Sequence, residues 1–233
     1  VLSPLDTIDV ERASICLVTI QQSTTSEPGP TKILGGTFSV YLDSVSTTLR
    51  FNDPLALGRV GDTLLRQGTS RLYIINTPTN NGIECVKGVW FSDTAGNSYL
   101  PDIPLSPGGG WQYRGWIYNR NSQQYLTTGR FYNPKAQDDD GAGSCAGSNP
   151  LTYNAPGQDW ISCESVNMLD GSHEVFIVIE PEGRTESVPP FNLKIYYQPS
   201  IVTSLTCRRE DNVFGQPLNI PQARIKITRA RGG

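Results

Sequence analysis

The sequence predicts an all-β chain, an Ig-like antiparallel β-sandwich in two related halves, the first of them incomplete. Three observations carry this. Short runs rich in β-branched and aromatic residues recur between clusters of Gly, Pro, Asn, Ser and Thr. No long window shows apolar residues at a period near 3.6, the mark of an amphipathic helix. The 233 residues include 23 Gly and 17 Pro, a density that suits many strands joined by turns.

Composition narrows the function classes. A chain of this length buries a core without staples. Its net charge is −3 and its pI about 5.2, whereas a nucleic-acid binder shows a broad basic stripe. The basic cluster Arg224, Lys226, Arg229 and Arg231 alternates with Ile225 and Ile227, as on an edge strand with one solvated face, so no nucleic-acid partner is expected. No apolar run is long enough for a membrane-spanning helix. The chain starts at Val1 without a leader pattern, as a processed, exported protein would, and as a trimmed chain would equally.

Five cysteines, Cys16, Cys85, Cys145, Cys163 and Cys207, contain no CxxC, and His173 is the one histidine. That spacing argues against zinc and, in a Gly/Pro/Thr-rich β chain, for an oxidising compartment. Cys145 with Cys163 is the expected disulfide, pinning the loop between them. One further pair is expected among Cys16, Cys85 and Cys207, leaving an odd thiol that is buried or linked to another chain.

Taken in order, Ser14–Ile20 is the first strand and residues 21–30 a polar turn. Thr31–Leu42 is the second strand, with Gly35-Gly36 marking a bulge or bend. Ser44–Phe51 alternates polar and apolar residues until Asn52-Asp53-Pro54 stops it. Arg71–Asn76 and Glu84–Phe91 flank the turn Thr77–Gly82 as a hairpin. The Pro/Gly connector Pro101–Gly110 divides the chain into an N-terminal β region, residues 1–100, and a fuller sandwich with C-terminal strands, residues 101–233. There Trp111–Asn119 is the central strand, with Tyr113 on one face and Gln112 and Arg114 on the other. Tyr125–Tyr132 returns beside it, and Asn133–Asp159 is a loop long enough to need pinning or a function. Glu174–Ile179 is apolar on both faces, and Asn192–Tyr197, Val202–Cys207 and Arg224–Thr228 complete the set.

An internal echo links the halves. At a shift of 159 positions, Leu17–Phe38 aligns with Phe176–Tyr197, pairing Ile20 with Ile179, Glu27 with Glu186, Pro30 with Pro189 and Leu34 with Leu193. Both stretches read as apolar strand, polar Thr/Ser/Glu loop, proline and strand, as copies of one unit would. The second copy has a Trp111–Tyr132 hairpin before it and the first has no counterpart. Its edge, Ser14–Ile20, therefore needs cover from the same chain or from a neighbouring molecule's strand, unless upstream sequence has been trimmed away.

The segments WQYRGWIYN and YLTTGRFYNP, from Trp111 and Tyr125, resemble the "YEGW…STGRF" pattern of exported bacterial proteins similar to the anti-sigma-K factor C-terminal domain. The run Asp138–Gly143, Pro156-Gly157-Gln158-Asp159-Trp160, VFIVIEPEGRTESVPPFNLK from Val175 and Gly88-Val89-Trp90-Phe91 extend the likeness over roughly residues 16–198. Arg114 stands where that family usually has Glu. The resemblance implies an exported, β-rich, extracytoplasmic protein.

Candidate chemistry is sparse. Asp138, Asp139 and Asp140, with Asp159, could hold calcium, which takes loop carboxylates. Glu180 and Glu182 flank Pro181 without the separation that glycoside cleavage needs. Serine chemistry would rest on His173, and no GxSxG elbow is present. Trp90, Trp111, Trp116 and Trp160 could offer sugar a stacking surface, and parity places Trp116 opposite Trp111, leaving one tryptophan free to be exposed. No catalytic residue and no cofactor beyond possible calcium is expected. The expectation is a non-enzymatic extracellular or cell-surface protein that self-assembles into a filament or layer by strand complementation at Ser14, Ile15, Cys16, Leu17, Val18, Thr19 and Ile20. The alternative is an envelope ligand-binding or sensory module taking carbohydrate or a protein partner.

Overall fold

A computed structural model describes residues 13–20, 29–41, 44–57, 71–72, 89–92, 97–98, 100, 103, 110–139, 154–157, 168, 170–185, 189–191, 193–198, 212–213 and 222–228. Among these, eleven strands form and no helix: β1 (Ile15–Ile20), β2 (Thr31–Thr37), β3 (Ser39–Val40), β4 (Ser44–Arg50), β5 (Arg71–Leu72), β6 (Trp111–Asn119), β7 (Gln124–Phe131), β8 (His173–Pro181), β9 (Lys194–Gln198), β10 (Asn212–Val213) and β11 (Gln222–Thr228). The chain is all-β, and every pairing between these strands is antiparallel. It divides into two compact units, residues 1–62 with 220–233, and residues 63–219.

In the first unit the strand order is β1-β2-β4-β11, with β3 also on β4. The expected long strand from Thr31 breaks at Phe38, whose amide donates to the Ser14 carbonyl at 3.0 Å. Before the break the chain runs along β1, and after it β3 lies on β4. Gly36 makes the crossing possible. A Cβ there would lie 2.6 Å from the Thr48 carbonyl oxygen, a clash with backbone that only a missing side chain avoids. β11 closes the sheet along seven residues of β4, from Gln222↔Arg50 to Thr228↔Ser44, so the C-terminal strand belongs to the first unit. Leu34, Leu49, Phe51 and Leu57 are buried in this unit.

The main sheet of the second unit has the order β7-β6-β8-β9. β6 and β8 pair over their full length, from Trp111↔Pro181 to Asn119↔His173, and both are buried along most of that length. One face carries Tyr113, Ile117, Phe131, Val175, Ile177 and Ile179, all buried. The other carries Gln112, Arg114, Trp116, Phe176, Val178 and Glu180, also buried. The continuous apolar run in β8 follows, because a strand covered on both faces has no polar side to alternate. A short ladder pairs β5 with β10. The hairpin expected from Arg71–Asn76 and Glu84–Phe91 is described only at Arg71–Leu72 and Val89–Phe91, and Val202–Cys207 lies outside the described residues.

Two glycines set the register of β6 on β7. Arg114 pairs with Arg130 and Trp116 with Thr127, so Thr128 and Gly129 together oppose Gly115. That is a β-bulge, and Gly129 takes a positive φ of 100° in it. The buried Thr128 side chain and the Phe91 ring fill the space over Gly115. The glycines of RGW and TTGRF are thus two sides of one bulge.

The β6–β7 turn is built from side chains. Asn119 Oδ1 accepts the amides of Asn121 and Ser122 at 2.9 and 3.1 Å, and Gln123 takes the left-handed conformation, φ 58°, that such a turn requires.

Candidate functional site

Ile15-Cys16-Leu17-Val18-Thr19-Ile20 contains no charge, proline or glycine. Such a run forms a strand readily, and an exposed one recruits other strands. β1 pairs with β2 on one side, from Ile15↔Thr37 to Ile20↔Thr31. It ends the sheet on the other, where no strand lies beside it among the described residues. No β1 side chain is fully buried. Ile15 is 46% and Val18 38% exposed.

The sequence echo gives this edge a counterpart. β1–β2 and β8–β9 are both antiparallel hairpins with a break in register. The β1 break falls between Val18 and Thr19 and the β8 break between Ile177 and Val178. These are the same positions under the shift of 159. On its other side β8 carries β6 over nine residues, and the corresponding side of β1 carries no strand among the described residues.

Cys16 is a free, half-buried thiol. Burial pushes it up, against a smaller opposing effect of a backbone hydrogen bond at Leu17, and a raised thiol is a poor nucleophile. Cys85, Cys145, Cys163 and Cys207 lie outside the described residues.

The other candidate residues that are described make contacts within the scaffold. Asp138 is buried, and its Oδ2 accepts the Gly157 amide at 2.8 Å. The Pro156 carbonyl accepts the Phe91 amide at 3.2 Å, and the Phe91 ring covers Gly115. Val89–Phe91, Asp138, Pro156-Gly157 and Thr128 are therefore brought together over Gly115 of β6. Asp139 is exposed, and its amide bonds the Arg130 carbonyl at 2.8 Å. Asp140 and Asp159 lie outside the described residues. Among the described residues no three His, Cys, Asp or Glu side chains are grouped to hold a metal.

Glu180 does not form an acid pair with Glu182. It is buried and accepts Arg114 Nε at 2.7 Å and Gln112 Nε2 at 2.9 Å, while Arg184 Nε stands 3.6 Å from its second oxygen. Arg114 also donates to the Arg184 carbonyl at 3.0 Å, tying the loop after β8 onto the sheet. Register was the missing information: Gln112 and Glu180 are direct cross-strand partners, with Arg114 one step along the same face.

Trp116 is not exposed, although it does face away from Trp111. It packs with Phe176 and Val178 beneath Tyr118 and Tyr197, and Tyr125 meets it edge-on at 6.3 Å. Trp90 and Trp111 are also buried, and Trp160 lies outside the described residues. The sequence pattern missed this because both faces of β6 are covered. The exposed Tyr125 stacks on Tyr118 at 4.6 Å and so shields an aromatic cluster from water.

His173 is buried, with Nε2 3.0 Å from Asn119 Nδ2 and Nδ1 2.9 Å from Asp170 Oδ1. Asn119 already uses its Oδ1 on the turn amides, so its amide nitrogen must donate and His173 Nε2 must accept. Nδ1 therefore carries the proton and donates it to Asp170. The Ser172 hydroxyl also bonds Asp170, at 2.7 Å, on the Nδ1 side of the ring. A catalytic serine would have to stand at a free ring nitrogen acting as base, so this group is a turn latch. Burial alone would raise the Asp170 carboxyl. Hydrogen bonds from the Ser172 hydroxyl and amide and from His173 outweigh it and hold the carboxyl below its ordinary 3.8. A depressed carboxyl stabilises the fold above its unfolded value and loses that contribution as pH falls through the folded one. Asp170→Asn is thus expected to lower the urea midpoint at pH 7, with the gap from wild type closing below about pH 3.8. Urea titrations at several pH values read this directly, and a gap that does not change with pH would exclude the latch.

No family model, curated protein or solved structure matches this chain.

Proposed function

We propose that this chain is a non-enzymatic structural protein of the cell exterior, Ig-like in its units, that assembles with copies of itself by strand addition at the outer edge of β1. The observation that carries this is the equivalence of β1 with β8: β8 has β6 beside it, and the same side of β1 has no strand beside it among the described residues. Two features support it. β11, at the opposite edge of the sheet, carries the exposed cations Arg224 and Lys226, which discourage pairing, whereas β1 has none. Of the six exposed large hydrophobics among the described residues, Ile15, Val18, Val40 and Tyr41 fall in the first unit. The residues that chemistry would draw on, Glu180 and His173, are held by Arg114 and Gln112 and by Asn119 and Asp170. Export is the setting implied by the likeness to extracytoplasmic anti-sigma-like proteins.

Sedimentation velocity and electron microscopy over a concentration series test the reading. Wild type is expected to form species larger than one chain. Val18→Lys, which puts a charge on the edge without touching the core, is expected to return it to a monomer with an unchanged far-ultraviolet spectrum. A wild type that stays monomeric at the highest concentration would count decisively against assembly.

A further inference from the structure

The sheet of the first unit brings together cations that are far apart in sequence. On β11, Arg224 and Lys226 point to one face, about 7 Å apart along the strand. Their direct partners on β4 are Thr48 and Ser46, and Gln222 pairs with Arg50. Parity therefore places Arg50, Arg224 and Lys226 on the same face, interleaved with Ser46, Thr48 and Gln222. All three cations are exposed, and none of their side chains has an ion pair or hydrogen bond among the described residues. The nearby carboxylate Asp53 sits over Gly35 and accepts the Leu55 amide at 2.9 Å.

Protection of a sheet edge explains cations on β11. It does not explain Arg50, because β4 is an interior strand between β2 and β11. The charge is also uneven along the chain. Residues 1–62 with 220–233 hold 8 basic and 7 acidic residues, against 11 and 15 in residues 63–219. An acidic chain thus has a basic face on one of its units.

We propose that this face binds a linear acidic polysaccharide, with Arg50, Arg224 and Lys226 meeting its carboxylates and Ser46, Thr48 and Gln222 its hydroxyls. Arg, with its forked donors, suits carboxylate, and short polar side chains between cations suit a hydroxylated chain better than bare ions. Single-stranded nucleic acid is the poorer fit, since its binding surfaces stack successive bases on aromatic rings, and among the described residues parity brings a single aromatic, the exposed Tyr41 opposite Ser44, to this face. The inference does not rest on self-assembly, which uses the β1 edge.

The test is binding of the full chain to immobilised polygalacturonate at 50 and 200 mM salt. Neutral galactan, a single-stranded oligonucleotide and anionic phospholipid vesicles serve as comparison arms. Binding at the lower salt is expected, weakened on the order of tenfold at the higher by release of counterions. Arg50→Gln/Arg224→Gln/Lys226→Gln should weaken it at least tenfold with an unchanged spectrum, while Arg50→Lys/Arg224→Lys stays within a few-fold of wild type. No binding at 50 mM, equal binding by the triple variant, or capture of galactan, oligonucleotide or vesicles as tight as that of polygalacturonate would each overturn the proposal.

Discussion

Glu180→Ala is expected to destabilise the second unit by about 3–5 kcal/mol, the range seen when one partner of a buried ion pair is removed. Arg114 and Glu180 are only 2% and 1% exposed and meet at 2.7 Å. Without Glu180, the Arg114 guanidinium keeps the Arg184 carbonyl and the Trp116 ring, 5.9 Å away, but loses the carboxylate at 2.7 Å. Gln112 Nε2 loses its acceptor too. Arg114→Met/Glu180→Leu should lie far closer to wild type than either single change, because removing both charges removes the desolvation penalty with the attraction. Urea unfolding of the four proteins gives the coupling energy. A double variant as unstable as Glu180→Ala would mean that packing, not charge, accounts for the loss.

This pair shows where sequence reading stops. The alternation in Trp111–Asn119 placed Gln112 and Arg114 on one face, which the structure bears out. What that face meets depends on the register of a strand 66 residues away, and no local pattern encodes it. The same limit applies to β11, whose partner β4 lies at the other end of the chain. Strand positions were legible because β-branched runs bounded by turn residues are local signals. The break at Phe38 was not, since it arises where one strand changes partner. Burial of Trp116 was missed for a related reason: alternation reports a half-buried strand, and β6 is covered on both sides.

Gly115→Ala is expected to cost about 1–3 kcal/mol, toward the upper end for overpacking in a sheet interior. A Cβ at Gly115 would lie 2.9 Å from the Phe91 ring and closer still to Thr128 Oγ1. Thr128 is buried and, being β-branched, has little freedom to turn away. The Phe91 backbone is held by the hydrogen bond its amide donates to the Pro156 carbonyl. The bulge must therefore shift or open, and a one-residue slip of β7 would send its inward side chains to the opposite face. Thr128→Ser supplies the control. With one γ atom instead of two, the serine hydroxyl can rotate away from the new methyl group, so Gly115→Ala/Thr128→Ser should recover part of the loss while Thr128→Ser alone changes little. The contact with Phe91 remains in the double variant, which sets the limit to recovery. Additive losses in urea unfolding would show that the crowding lies wholly against Phe91, and a Gly115→Ala protein as stable as wild type would show that the bulge does not need its glycine.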